Sequence, residues 1–66
     1  MKQFQFTKIK EFREAIGMSQ HDLGIVLSIH PQQISAWERG NGLTVRNLVK
    51  LCNALGRKSD EFFTEG

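Results

Sequence analysis

Two short segments with helical periodicity lie within residues 20–40, and the small gap between them constrains the fold more than any other feature of the sequence. The second segment begins at Pro31, because proline lacks an N–H and fits the first position of a helix. Proline also disfavours helical geometry at the preceding residue, so the first segment ends before His30. The apolar residues of the pair are Leu23, Leu27, Ile29, Ile34 and Trp37. With a link of three or four residues between them, the two helices must cross closely.

Local signals support this helix-turn-helix arrangement. Ser19 and Asp22 have the spacing of a capping box, in which two side chains satisfy free N–H groups at the start of a helix. Gly24 lets the second helix approach closely, because it has no side chain. The residues predicted to face outward on the second helix are Gln32, Gln33, Ser35 and Ala36.

Three further helices are predicted around this pair. Thr7 and Thr44 are suited to cap two of them, and residues 59–63 form a capped final turn or short helix. The first helix is predicted to bury Ile9, Phe12 and Ile16, and the apolar residues of the fourth helix are Leu48, Leu51, Cys52 and Leu55. Residues 1–6, in which Phe4 and Phe6 alternate with Gln3 and Gln5, are either a short strand or an extended arm. The predicted fold class is therefore all-α, a compact bundle of about five short helices.

Composition narrows the function classes without choosing among them. The chain has 66 residues, and 39% hydrophobic with 24% charged residues favours one globular domain over residues 1–66. The formal net charge of +2 permits a polyanionic partner but does not point to one. Without a signal peptide or a membrane-spanning run, and with a single cysteine that cannot form an intramolecular disulfide, we expect a cytoplasmic protein.

The polar residues show no pattern for catalysis or metal binding. His21, His30 and Cys52 lack the close spacing of metal ligands. Ser19, His21 and Asp22 lie too close in sequence to form a catalytic triad. We therefore expect no metal, no cofactor and no enzymatic activity.

Several short stretches agree, in one register, with a known pattern. They are Met18-Ser19-Gln20, Leu23-Gly24, Leu27-Ser28-Ile29, Gln33-Ile34-Ser35-Ala36-Trp37-Glu38-Arg39-Gly40 and Leu51-Cys52-Asn53-Ala54-Leu55-Gly56. In these stretches the chain resembles the phage-repressor and Cro-like (XRE-type) helix-turn-helix family, over roughly Ile9 to Phe63. The resemblance implies sequence-specific binding of double-stranded DNA, with the helix from Pro31 to Glu38 in the major groove.

The resemblance also implies roles for individual residues. A glutamine amide matches the N6/N7 edge of adenine, so Gln32 and Gln33 are predicted to contact bases. The other predicted base contacts are Ser35 and Ala36. The predicted contacts to the DNA backbone are Ser19, Gln20, Arg39, Asn41 and Arg46. His30 is added from its own chemistry, because its imidazole is suited either to cap its helix or to contact a phosphate. The family also implies a partly buried ion pair between Arg13 and Glu38, which joins the first helix to the recognition helix.

The chain departs from the family at several positions. Ser28 stands where a turn glycine is usual, and Arg57 stands where an apolar residue usually seals the core. Ile25 and Val26 are apolar at positions that are usually polar. Because the family commonly dimerises through its fourth and fifth helices, we expect a homodimer. The predicted dimer or partner surface comprises Val45, Val49, Phe62, Phe63, Ile25 and Val26.

The resulting hypothesis is a Cro-like or controller-like repressor that occupies an operator as a homodimer. One alternative is an antitoxin, in which the same DNA-binding domain also binds a toxin; an antirepressor is a comparable protein partner. The other is a protein-interaction module that has kept the fold and lost DNA binding, which is left open by the modest charge and the absence of basic residues before Arg39 on the recognition helix.

Overall fold

Apolar side chains from every helix meet in one core in the computed structural model, which describes residues 1–65. The elements in chain order are β1 (Lys2–Phe4), α1 (Thr7–Ala15), α2 (Gln20–Leu27), α3 (Pro31–Glu38), α4 (Val45–Leu55), a 3₁₀ helix (Ser59–Phe62) and β2 (Phe63–Glu65). The buried residues of the core are Ile9, Phe12, Leu23, Ile34, Trp37, Leu51, Leu55 and Phe62. The predicted helical bundle is present, and a small sheet is added to it.

Polar side chains cap the N-termini of α2, α3 and α4, and they are those of Ser19, His30 and Thr44. The Ser19 hydroxyl accepts a 2.9 Å hydrogen bond from the backbone N–H of Asp22, and the Asp22 carboxylate accepts one of 3.1 Å from the backbone N–H of Ser19. Thr44 caps α4 through a 3.2 Å bond from the Asn47 N–H. Caps of this kind stabilise a helix because its first N–H groups have no partner within the helix.

Two predictions for α1 are wrong. Thr7 is the first residue of the helix and not its cap, because Phe6 already has helical φ and ψ and occupies the capping position. Ile16 is half exposed, since the chain leaves helical geometry at that residue and turns it away from the core.

The N-terminal segment forms a strand from Lys2 to Phe4, one of its two predicted alternatives. It pairs antiparallel with residues 63–65, in a register that places Lys2 opposite Glu65. Phe63 therefore begins a strand, where a final helical turn was predicted. The Phe4 ring lies 5.8 Å from the ring of buried Phe62, nearly parallel to it. This packing fixes the sheet against the helical core.

Arg57 covers the core at the position where the family usually has an apolar residue. Its guanidinium carbon lies 4.4 Å from the centroid of the Phe12 ring, a cation–π contact. One guanidinium nitrogen also donates a 3.0 Å hydrogen bond to Glu61. The Arg57 guanidinium therefore covers the Phe12 ring while it also pairs with Glu61.

Candidate nucleic-acid interface

The turn between α2 and α3 depends on the absence of a side chain at Gly24. A Cβ atom there would lie 2.6 Å from the carbonyl oxygen of Ile29, which is closer than real Cβ contacts allow. The Ile29 N–H donates a 2.8 Å hydrogen bond to the Gly24 carbonyl. Ser28 takes the left-handed conformation with φ of 57°, at the position where the sequence departs from the usual glycine. This tight turn sets where α3 begins relative to α2.

His30 and Pro31 start the recognition helix. His30 has extended geometry, and its Nδ1 atom accepts a 3.2 Å hydrogen bond from the backbone N–H of Gln32. Pro31 takes the first helical position, where its missing N–H leaves no gap in the helix. Because Nδ1 is used as an acceptor, the outward-facing group of the imidazole available to a partner is Nε2.

One face of α3 is fixed by the core and the other is open. Ile34 and Trp37 are buried, so the helix has little freedom to rotate about its axis. Gln32 and Gln33 are exposed, and Ser35 and Ala36 are half-buried. The two glutamines lie in the first turn of the helix.

Arg39 follows the last residue of α3 and turns back along it. Its guanidinium donates a 2.7 Å hydrogen bond to the Ser35 hydroxyl, one helical turn earlier. Residues four apart share a helix face, so the guanidinium lies on the face that also carries Ser35. The open face of α3 therefore ends in a positive charge.

A buried ion pair joins α1 to the end of α3. The Nε atom of Arg13 lies 2.8 Å from one carboxylate oxygen of Glu38, and both side chains are almost fully buried. Arg13 also donates a 2.8 Å hydrogen bond to the carbonyl of Met18. The predicted pair is thus present in the structure, with the guanidinium satisfied by both a carboxylate and a backbone carbonyl.

Gln20 joins the same network. Its amide nitrogen donates a 2.9 Å hydrogen bond to the second carboxylate oxygen of Glu38. Ser19, immediately before it, is exposed and caps α2 through the Asp22 box. The pKa of Asp22 is lowered mainly because its carboxylate accepts a hydrogen bond from the Ser19 backbone N–H. A hydrogen bond between the carboxylate and the Ser19 side chain lowers this pKa further.

The match to known protein families decides the family. Residues 9–62 match the model described as helix-turn-helix, which is most of the chain. The chain belongs to the helix-turn-helix family. As a member of this family, the protein is a DNA-binding transcriptional regulator. The two helices of its motif are α2 and α3. A search of curated protein sequences finds no match.

Two kinds of solved structure are similar to this chain. The chain is 29% identical to the restriction-modification controller protein C.AhdI from Aeromonas hydrophila, with a TM-score of 0.81 over 88% of this chain and 89% of that one. It is 26% identical to Fe(II)-HppE with the alternative substrate (S)-1-HPP, with a TM-score of 0.84 over 97% of this chain but only 35% of that one. Hydroxypropylphosphonic acid epoxidase from S. wedmorenis is 29% identical, with a TM-score of 0.80 over 89% of this chain and 32% of that one.

This chain matches a different share of each of these structures. It spans about a third of the epoxidase chains, whereas it covers most of the controller protein. The family and the controller protein therefore indicate a regulator and not an enzyme. Within residues 1–65, no cluster of side chains is suited to hold a metal ion. None of the helices described is long and apolar enough to cross a membrane.

The remaining backbone-contact candidates of this helix-turn-helix protein lie after α3. Asn41 is exposed in the loop between α3 and α4, and Arg46 is exposed in the first turn of α4. The Asn41 N–H donates a 2.9 Å hydrogen bond to the Ala36 carbonyl, so this loop is held against the end of α3. The candidates at the end of α3 and in the loop, Arg39 and Asn41, are brought together; Arg46 stands apart on the next helix.

The predicted dimer or partner surface is divided by the structure. Val45 and Val49 lie one turn apart on α4 and are 78% and 55% exposed. Ile25 and Val26 form a separate exposed pair on α2. Phe62 was wrongly assigned to this surface: it is fully buried because the 3₁₀ helix turns it inward, edge-on to the Phe12 ring at 5.1 Å. Phe63 is half-buried and lines a groove beside α4.

Cys52 lies on the inner side of α4 and is half-buried. Burial raises the pKa of its thiol, which disfavours the reactive thiolate. This environment fits the prediction of a small packed side chain.

Proposed function

We propose that this protein is a Cro-like or controller-like repressor, cytoplasmic and comprising one domain, that occupies an operator in double-stranded DNA as a homodimer. The observation that carries the proposal is the arrangement of α3. Its inner face is held by buried Ile34 and Trp37, while Gln32 and Gln33 extend from its first turn. A helix fixed on one side and polar on the other suits insertion into the major groove.

Base reading falls to the open face of α3. Each glutamine amide offers a donor beside an acceptor, which matches the N6/N7 edge of adenine. Ala36 is small enough to approach a thymine methyl group, and the Ser35 hydroxyl can bond to several base edges. Since the Ser35 oxygen already accepts a bond from Arg39, its own proton remains available to donate.

Contacts to the DNA backbone come from both sides of α3. Before it, the start of α2 contributes Ser19 and Gln20, and the cap of α3 contributes His30 through Nε2. After it, Arg39, Asn41 and Arg46 reach the phosphates. Gln20 has a second amide proton to offer, because only one is needed for the bond to Glu38. These contacts set the register of α3 in the groove.

The dimer uses α4. Val45 and Val49 form an exposed apolar stripe, and Val45 borders a groove of about 350 Å³ whose other walls include Phe6, Leu43 and Phe63. Burying this apolar surface against a second copy would favour association. Two copies related by a twofold axis would present their α3 helices to half-sites roughly 34 Å apart. The likeness to the controller protein C.AhdI over most of both chains supports the choice of a small regulator.

A second candidate is an antitoxin, with the same DNA-binding domain and a further protein partner. The observation that favours it is the pair Ile25 and Val26, which is 65% and 55% exposed on the outer side of α2. A toxin or an antirepressor would cover this pair. Co-purification of a small protein from the native host would support this candidate, provided that Ile25→Asp abolishes it.

Selection from a random duplex library tests the repressor directly. The enriched duplex is then titrated at several salt concentrations. A palindromic consensus with a steep dependence of affinity on salt is the expected result, because phosphate contacts release counterions. No enrichment, with weak binding that ignores sequence, would favour an interaction module that has lost DNA reading.

A further inference from the structure

The Phe6 ring lies against the backbone of Gly40, at the end of the recognition helix. A Cβ atom at Gly40 would stand 3.1 Å from two carbons of that ring. A side chain at this position would crowd the ring, which would have to shift by a few tenths of an ångström. Gly40 also has a φ of +88°, which other residues rarely adopt. The backbone conformation therefore favours glycine here, and the tight contact with the Phe6 ring adds to that preference.

The backbone at Gly40 is held from its other side by α3. The Gly40 N–H donates a 2.9 Å hydrogen bond to the Trp37 carbonyl, and the Asn41 N–H donates one of the same length to the Ala36 carbonyl. The segment from Arg39 to Asn41 is thus confined between the end of α3 and the Phe6 ring. Both end residues of this segment are proposed contacts to the DNA backbone.

Phe6 is itself fixed by main-chain bonds. Its carbonyl accepts a 3.1 Å hydrogen bond from the Ile9 N–H, in the first turn of α1. The preceding residue, Gln5, donates a 2.7 Å hydrogen bond to the carbonyl of buried Phe62. The ring is nevertheless 39% exposed. The backbone at Phe6 is held by these hydrogen bonds, and its ring contacts the loop at Gly40. Phe6 is not one of the buried residues of the core.

We propose that Phe6 is a positioning residue for DNA binding, which sets the path of residues 39–41 so that the Arg39 guanidinium meets a phosphate. This inference rests on the proposed function. The 2.7 Å bond to Ser35 holds the guanidinium end of Arg39, and Phe6 holds the backbone end. Without the ring, residues 39–41 can move away from α3. The Arg39 guanidinium is then no longer held where it meets a phosphate.

The dependence of affinity on salt separates this role from a general effect on folding. Losing one phosphate contact lowers the slope of log affinity against log salt by about one unit. A variant that is only less stable binds more weakly, but its folded fraction keeps the same phosphate contacts and the same slope. The probe is a random-sequence duplex, since phosphate contacts do not depend on sequence.

The experiment is a double-mutant cycle on the full chain with Phe6→Ala, Arg39→Ala and the combination. Each single variant is expected to reduce the magnitude of the slope by about one unit for each bound copy of the chain, and the double variant also by about one and not two for each copy. Phe6→Tyr keeps the ring and is expected to retain the wild-type slope. Ile16→Ala removes a half-exposed apolar side chain at the other end of α1 and serves as the matched control, with an unchanged slope.

The outcomes separate this inference from the function on which it rests. If the wild-type chain shows no salt-dependent binding to the duplex, the proposed function fails. If wild type binds while Phe6→Ala keeps its slope, or if the double variant loses about two units for each bound copy, only the role of Phe6 is overturned. Phe6→Leu replaces Phe6→Ala should the alanine variant lack a helical circular dichroism spectrum, because leucine keeps apolar bulk without a flat ring.

Discussion

The side-chain amide of Gln20 donates a 2.9 Å hydrogen bond to the Oε1 atom of Glu38. The first residue of α2 is thereby joined to the last residue of α3. Arg13 donates to both oxygens of the same carboxylate, at 2.8 Å to Oε2 and at 3.4 Å to Oε1. The two helices of the motif are connected twice, once through the turn at Gly24 and once through this carboxylate. The orientation of the recognition helix therefore depends on a charge that lies away from its open face.

Removing that carboxylate is expected to be costly. Arg13 is 6% exposed. In Glu38→Ala this buried arginine would lose its counter-charge, and the free energy of unfolding should fall by about 3–5 kcal/mol. Urea denaturation measures this as a lower midpoint with an unchanged slope. Glu11→Ala is the control, because its pair with Lys8 is largely exposed and contributes at most about 1 kcal/mol. Equal losses in the two variants would contradict a structural role for the buried pair.

Ser28 is a position where the native residue is not the most stable one. Its φ of 57° suits glycine, and a side chain in that conformation costs roughly 1–2 kcal/mol. After the greater flexibility of glycine in the unfolded chain is subtracted, Ser28→Gly should stabilise the protein by about 0.5–1 kcal/mol. Thermal unfolding would register a higher Tm. Ser28→Ala keeps the strained backbone with a side chain and should show no such rise.

The two exposed glutamines of α3 are expected to govern base selectivity and not the salt dependence. Gln32→Ala and Gln33→Ala should each reduce discrimination at one base pair by about 1–3 kcal/mol. The salt slope should stay unchanged, because the amide carries no charge. Binding to the selected duplex and to its single-base variants measures this. Gln3→Ala, an exposed glutamine on β1, should change neither quantity.

The capping box predicts a specific pH dependence. Hydrogen bonds from Ser19 hold the pKa of Asp22 below its ordinary value, so the carboxylate favours the folded state. Its stabilisation is fully present above the ordinary aspartate pKa and is lost as pH falls through the lower, folded pKa. The stability difference between wild type and Asp22→Asn should therefore be largest near neutral pH and disappear in acid. A difference that stays constant through the acid range would exclude this role for the charge.

The positions of the motif helices could be predicted because their signals are local. Ser19, Pro31 and Thr44 mark helix starts through their own chemistry, and the structure places them as predicted. Buried Ile34 and Trp37 follow from helical spacing alone, which also leaves the glutamines outside. Helix-turn-helix membership adds the pairing of Arg13 with Glu38, which no local pattern would reveal.

The features that were missed depend on residues distant in sequence. The strand from Phe63 to Glu65 has no periodic pattern of its own and exists because Lys2–Phe4 lies beside it. The exposed position of Ile16 depends on where the backbone leaves the helix, which helical spacing does not specify. The contact of Arg57 with the Phe12 ring, and that of Phe6 with Gly40, arise from tertiary packing. Spacing within a single helix carries no information about any of them.

The sheet also bears on the order in which the chain folds. Pairing Lys2 with Glu65 brings together residues at nearly opposite ends of the sequence. The entropy lost on closing a loop grows with its length, so contacts this distant are unfavourable until the helices have docked. Hydrogen exchange should find the amides of β1 and β2 less protected than those of α3 and α4. We therefore expect the sheet to be the last part of the fold to form and the first to open.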